Sequence, residues 1–126
     1  MSFFNKIFAG SEQKGDNGRG GKWSDIQSES SLQSAVDRSY EVPVVIFKHS
    51  TRCFISQTVL KNFERDMQSY SGNAEFYFLD LLAHRDISNK IASDFEVTHQ
   101  SPQMIVLKDG KAIKNASHQA ISLNLV

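Results

Sequence analysis

The chain has 126 residues and a mass of 14.2 kDa, which is enough for one ordinary domain and excludes a large two-domain enzyme. Its 40% hydrophobic and 22% charged residues are close to the globular average and exclude wholesale disorder or a fibrous repeat. Fourteen basic residues balance fourteen acidic ones, so the composition argues against nucleic acid as a partner. The single cysteine, Cys53, excludes an internal disulfide and an all-cysteine metal cluster, which favours a reducing compartment.

The first 22 residues have a different composition from the rest of the chain. Five of the seven glycines fall within residues 10–21, among small polar residues, which predicts a flexible linker. Before it lies a short apolar cluster that comprises Phe3, Phe4, Ile7 and Phe8. It is either a frayed start or a peptide that docks on a partner or touches a membrane. No run in this segment is long enough for a secretory signal or a membrane span. We therefore predict an N-terminal segment over residues 1–22 and a folded domain over residues 23–126.

The first half of the predicted domain alternates between strand and helix patterns. Residues 23–26 fit a short strand. Ser28 can cap a following helix, whose predicted apolar face is Leu32, Ala35, Val36 and Tyr40. Residues 42–48 form a nearly continuous β-branched apolar run, which is typical of a strand buried on both faces. A second helix is predicted after the potential caps Ser50 and Thr51, with an apolar face of Ile55, Val59, Leu60, Phe63 and Met67, ending near residues 71–73.

The second half continues the alternation and ends with a hairpin. Residues 75–82 fit a strand, and Ile87, Ile91 and Phe95 recur at the spacing of a helix. Residues 104–107 fit a third main strand, and Asp109-Gly110 predicts a tight turn into residues 111–115. A parallel crossover followed by an antiparallel hairpin predicts a three-layer α/β sandwich around a mixed sheet of four or five strands.

Cys53 stands where a buried strand ends and a helix begins. The free N–H groups and the positive dipole end of a helix start favour a thiolate over a thiol, and Arg52, Lys48 and His49 can add positive charge. The alternative is an inert buried cysteine, because free cysteines are among the most buried residues. The polar residues before Cys53 favour the reactive interpretation, in which Thr51, Arg52 and Phe54 belong to the same motif.

Ser56 occupies the position at which a C-x-x-C motif has its second cysteine. Without a resolving thiol, a mixed disulfide at Cys53 must be released by an outside thiol. The pattern therefore predicts monothiol chemistry.

A second candidate element precedes the third main strand. Pro102 can be simple punctuation at the start of that strand. If the Ser101-Pro102 bond is cis, the backbone of Ser101 forms a short edge that can pair with an extended substrate beside the thiol. The four histidines, His49, His84, His99 and His118, lack the spacing of metal ligands, so we expect no metal site.

Together these motifs resemble the YtxJ family of monothiol bacilliredoxins. The similarity covers residues 23–121 and rests on residues 43–53 and Ile55-Ser56, on His99-x-Ser101-Pro102-Gln103, on Lys108-Asp109-Gly110-Lys111 and on Ala116-Ser117-His118. It implies a thioredoxin-like fold, a cytoplasmic location and removal of the low-molecular-weight thiol bacillithiol from S-bacillithiolated client proteins. In that family's scheme, Cys53 is the attacking residue, Pro102 is the cis-proline that shapes the client groove, bacillithiol is a co-substrate and no cofactor is bound.

One residue departs from the family motif, and two other functions stay open. The family has proline after the cysteine, where this chain has Phe54, which lacks the fixed φ of proline and supplies an extra N–H. One alternative is a protein similar to monothiol glutaredoxins, which bind an iron–sulfur cluster or a low-molecular-weight thiol. A glycine follows the cysteine in that family, which argues against this alternative. The other is a non-catalytic thioredoxin-like interaction module.

Overall fold

The computed structural model describes residues 23–126 and shows one five-stranded sheet with three helices. The elements in chain order are β1 (Trp23–Asp25), α1 (Glu29–Arg38), β2 (Val44–His49), α2 (Phe54–Met67), β3 (Glu75–Asp80), α3 (Arg85–Asp94), β4 (Gln103–Lys108) and β5 (Lys111–Ser117). The N-terminal segment predicted over residues 1–22 lies outside the described residues. The predicted three-layer α/β sandwich with a mixed sheet is confirmed.

The sheet has the order β1-β3-β2-β4-β5. Strands β1 and β2 both run parallel to β3, whereas β4 is antiparallel to β2 and to β5. Lys48 is paired with Gln103 across β2 and β4. The end of β2 and the start of β4 therefore meet at one edge of the sheet, and this edge carries the residues that follow β2 and precede β4.

Side chains alternate between two buried layers because successive residues of a strand point to opposite faces. Val44 and Ile46 of β2 belong to the layer formed with α1 and α3, called the α3 layer below, which also contains Leu32 and Ile91. Val45 and Phe47 belong to the layer of α2, where Trp23 stacks on Phe63 with ring centroids 6.0 Å apart. Both faces of β2 are buried, as its continuous apolar run predicted.

The helix boundaries differ from the sequence prediction in ways that backbone hydrogen bonds explain. Ser28 caps α1 as predicted, but α1 ends at Arg38, so Tyr40 lies outside the helix and is 63% exposed. Neither Ser50 nor Thr51 caps α2, because both lie in a preceding turn and Cys53 takes the N-cap position. Helix α2 ends at Met67, before the predicted stop. Ile55, predicted on the apolar face, is 44% exposed, whereas Ser56 is buried.

The turn between β4 and β5 forms at Asp109 and Gly110, as predicted, and Gly110 has a φ of 77° that favours glycine. After β5 the chain makes two short 3₁₀ helices, His118–Ala120 and Leu123–Leu125. Ile121, Leu123 and Val126 pack against the α2 layer. Among residues 23–126, no helix combines the length and apolar character needed to cross a membrane.

Candidate functional site

Cys53 lies on a tight turn between β2 and α2 and is partly exposed. Its backbone N–H donates to the Ser50 carbonyl at 3.2 Å, which closes the turn through Thr51 and Arg52. Its carbonyl accepts the Gln57 N–H at 3.0 Å, and its side chain makes no capping hydrogen bond to α2. The sulfur is thus placed at the start of α2, on the residue in the N-cap position.

Two side chains at the start of α2, Ser56 and Gln57, make hydrogen bonds to the backbone of the turn that carries Cys53. The buried Ser56 hydroxyl accepts the Ser50 N–H at 3.1 Å and lies 2.8 Å from Nδ1 of His49. The Gln57 side-chain amide donates to the Thr51 carbonyl at 2.9 Å. In the sequence, Ser56 marks only the position of an absent second cysteine, and no motif identifies Gln57. The signal was present, since Ser56 shares the helical spacing of the apolar residues Val59, Leu60 and Phe63.

His49 and Lys48, both predicted to add charge near the sulfur, point into different layers. The His49 ring lies among the aromatic side chains of the α2 layer, with its centroid 5.4 Å from that of Phe78. Lys48 is fully buried on the opposite face, where its Nζ lies 3.4 Å from the Ser88 carbonyl on α3. Burial lowers the pKa of Lys48 to about 8. Lys48 therefore packs in the α3 layer, on the face of the sheet opposite to α2.

The Ser101–Pro102 peptide bond is cis, and Pro102 is buried directly before β4. The pairing of Lys48 with Gln103 brings Pro102 to the sheet edge from which the Cys53 turn emerges. The Pro102 carbonyl accepts the His118 N–H at 3.2 Å, which ties the end of β5 to the same edge. The Ser101 hydroxyl is buried and has no hydrogen-bond partner among the described residues.

The loop that leads to Pro102 is held by Gln103 and lies against α3. The buried Gln103 amide donates to the Thr98 carbonyl at 2.9 Å, and its oxygen lies 3.5 Å from the Gln100 N–H. His99 Nδ1 is 3.5 Å from the Ser88 hydroxyl. Partial burial, followed by the nearby charges of Lys48 and Arg85, lowers the pKa of His99. His99 is thus disfavoured as a cation, and it lies against α3, outside the Cys53 turn.

Phe54 is the most exposed large apolar side chain near the thiol, at 80%. It borders a groove of about 340 Å³ between α2 and the segment after β5, together with Ile55, His118 and Ile121. Among residues 23–126, no group of three or more His, Cys, Asp or Glu side chains is arranged to hold a metal ion. The arrangement can present the partly exposed Cys53 thiol to a substrate, next to the exposed ring of Phe54.

Comparisons with known proteins agree with this geometry. Residues 24–126 match the family model described as monothiol bacilliredoxin BrxC. A solved protein with a thioredoxin fold is 26% identical, with a TM-score of 0.67 over 82% of this chain and 88% of that chain.

Two thioredoxins share the fold at lower identity. Thioredoxin from Malassezia sympodialis is 20% identical, with a TM-score of 0.65 over 79% of this chain and 81% of its own. The short form of thioredoxin f from spinach chloroplast is 14% identical, with a TM-score of 0.62 over 78% of this chain and 82% of its own. The domain therefore has the thioredoxin fold.

Proposed function

The chain belongs to the monothiol bacilliredoxin family and is a thiol–disulfide oxidoreductase, and we propose that it removes bacillithiol from S-bacillithiolated proteins through Cys53. One observation carries the proposal. The single described cysteine lies at the start of α2, at the sheet edge where the Ser101–Pro102 bond enters β4. A lone sulfur at this place can accept one small thiol and has no second cysteine among residues 1–126 to displace it.

The reaction has two balanced exchange steps. The Cys53 thiolate attacks the bacillithiol sulfur of the client's mixed disulfide, forms a new S–S bond and releases the client cysteine as a thiolate. A second thiolate, supplied from solution, then attacks the bacillithiol sulfur of the Cys53 mixed disulfide. A disulfide forms between this thiol and bacillithiol, and the Cys53 thiolate is released. Bacillithiol is therefore a co-substrate, and the partners are S-bacillithiolated proteins in a reducing compartment, the cytoplasm.

Ser101 and Pro102 supply the second half of the proposed site. An extended client segment can pair with the backbone at the edge before β4 while its modified cysteine reaches Cys53. The groove that Phe54 borders, between α2 and the segment after β5, adds apolar surface next in sequence to Cys53. Positioning of the client then complements the reactivity of the thiolate.

Intact mass spectrometry tests this proposal with a model client protein that carries one S-bacillithiolated cysteine. We expect the client to lose bacillithiol while the chain gains one bacillithiol at Cys53. The control is Cys53→Ser, which should keep the fold, because the cysteine is partly exposed, and lose transfer completely. A client that stays modified, or equal release by the Cys53→Ser variant, would contradict the proposal.

A further inference from the structure

We infer that His49 and Ser56 form a positioning pair that fixes the turn carrying Cys53. This inference rests on the proposed function, since it gives position 56 a role in the same exchange reaction. The starting observation is that the Ser56 hydroxyl points away from solvent, into the protein, although it stands at the place of a resolving cysteine. It contacts His49 and Ser50, and both contacts belong to the strand-to-turn junction.

The hydrogen bonds form a short chain from the strand to the sulfur-bearing residue. His49 is anchored by its backbone, because its carbonyl accepts the Leu81 N–H at 3.0 Å. Its Nδ1 lies 2.8 Å from the Ser56 hydroxyl, and this hydroxyl accepts the Ser50 N–H. The Ser50 carbonyl in turn accepts the Cys53 N–H. Ser50 is the first residue of the turn, and the Ser56 hydroxyl accepts its N–H. The orientation of Cys53 therefore depends on this hydroxyl.

Burial makes this arrangement costly to break. Ser56 is fully buried and His49 is 3% exposed, so water cannot readily replace either partner. The partly buried Ser50 N–H loses its acceptor when the Ser56 hydroxyl is removed, and it then pays the free energy of any desolvation that water does not reverse. A hydroxyl can donate to Nδ1 and accept an N–H at the same time, whereas alanine can do neither. Removing the Ser56 hydroxyl should therefore break both hydrogen bonds and increase the mobility of the whole turn that carries Cys53.

Three variants separate positioning from packing. Ser56→Ala removes the hydroxyl and suits a helix interior. His49→Phe keeps an aromatic ring beside Phe78 and loses the nitrogen, whereas His49→Asn keeps a polar group that can reach Ser56. The matched control is Ser88→Ala, since Ser88 is also a buried helical serine near a histidine Nδ1 and lies in the α3 layer.

The first readout is exchange with a small aromatic disulfide reagent and release of bacillithiol from the model client. We expect Ser56→Ala and His49→Phe each to lower kcat for client release by about 5- to 10-fold, because each breaks the chain of hydrogen bonds that ends at Cys53, with KM little changed. The double variant should lose no more than either single variant, because both break one chain of contacts. His49→Asn should recover at least half of the lost rate, and Ser88→Ala should match the wild type.

The second readout is hydrogen exchange of the Ser50 amide, which does not depend on bacillithiol. We expect protection of this amide in the wild type and its loss in Ser56→Ala at temperatures where circular dichroism shows a folded domain. Wild-type rates in Ser56→Ala, or equal losses in Ser88→Ala, would overturn the inference. If the wild type fails to release bacillithiol but the small disulfide still distinguishes these variants, the proposed client chemistry fails and the positioning pair stands.

Discussion

Lys48 and His49 are adjacent in sequence, but their side chains lie in opposite layers of the domain. His49 contacts the hydroxyl that braces the Cys53 turn, whereas Lys48 is enclosed between β2 and α3 with the Ser88 carbonyl as a distant partner at 3.4 Å. Transfer of an ammonium group from water to such a place is unfavourable unless hydrogen bonds replace its hydration. Lys48 is therefore expected to reduce stability, and its effect should depend on pH.

Replacing Lys48 with methionine should raise the free energy of unfolding by about 1–3 kcal/mol near neutral pH, because a chain of similar length loses its buried charge. The pKa of Lys48 is about 8 in the folded protein, against 10.5 for an ordinary lysine. Between these values the unfolded chain binds a proton that the folded protein lacks, so the wild type gains stability as pH rises. The advantage of the variant should therefore shrink from about pH 7 to about pH 9.5.

Urea unfolding at the two pH values measures this difference. The control is Lys90→Met, which removes an exposed lysine of α3 paired with Asp94 at 3.0 Å and should give no stabilisation. A Lys48→Met protein that is less stable than the wild type near neutral pH would show that the ammonium is well compensated in its buried place.

At the scale of elements, the first position of α2 has a backbone conformation that suits proline, although Phe54 occupies it. Phe54 is the first residue of the helix, where an N–H has no partner within the helix, and its side chain is 80% exposed. Cys53 has φ −102° and ψ 120°, which is the extended conformation preferred before proline. The backbone is thus already shaped for the proline that the resemblance led us to expect.

Phe54→Pro should stabilise the domain by about 0.5–1 kcal/mol, because proline reduces the freedom of the unfolded chain without straining the folded one. The comparison variant is Phe54→Ala, which loses the same exposed ring and keeps the flexible backbone, and it should lie close to the wild type. Denaturant midpoints at equal m-values provide the measurement. A destabilised Phe54→Pro protein would mean that the Phe54 N–H or ring contributes to the fold.

The elements also show what the sequence could and could not predict. Local patterns sufficed for β2, for the Asp109-Gly110 turn and for Cys53 at a helix start, because periodicity and turn chemistry act over a few residues. The layer of Lys48 depends on the strand's register with β3 and β4, which a charge count near Cys53 does not include. The cap of α2 was misplaced because the Ser50–Cys53 hydrogen bond makes a turn first.

At the scale of the whole molecule, the single sheet separates two apolar layers, one packed on each of its faces. The α2 layer holds Trp23 among aromatic rings, and its indole N–H donates to Glu64 at 2.7 Å. The α3 layer holds Ile91, which is fully buried. Strand β2 contributes alternate side chains to both layers, so loss of either layer exposes one face of the central strand. The two layers should therefore unfold together.

Because Trp23 is the only tryptophan, its fluorescence reports the α2 layer alone, and a change made in the α3 layer tests this cooperativity. Ile91→Val should destabilise the domain by about 0.5–1.5 kcal/mol through the loss of one buried methylene. In a two-state transition, the urea midpoint of Trp23 fluorescence must move as far as the midpoint of far-ultraviolet circular dichroism. A dichroism midpoint that moves while fluorescence stays at the wild-type value would show that α3 can unfold from the sheet by itself. The layer that holds Lys48 and His99 would then be independent of the layer that braces Cys53.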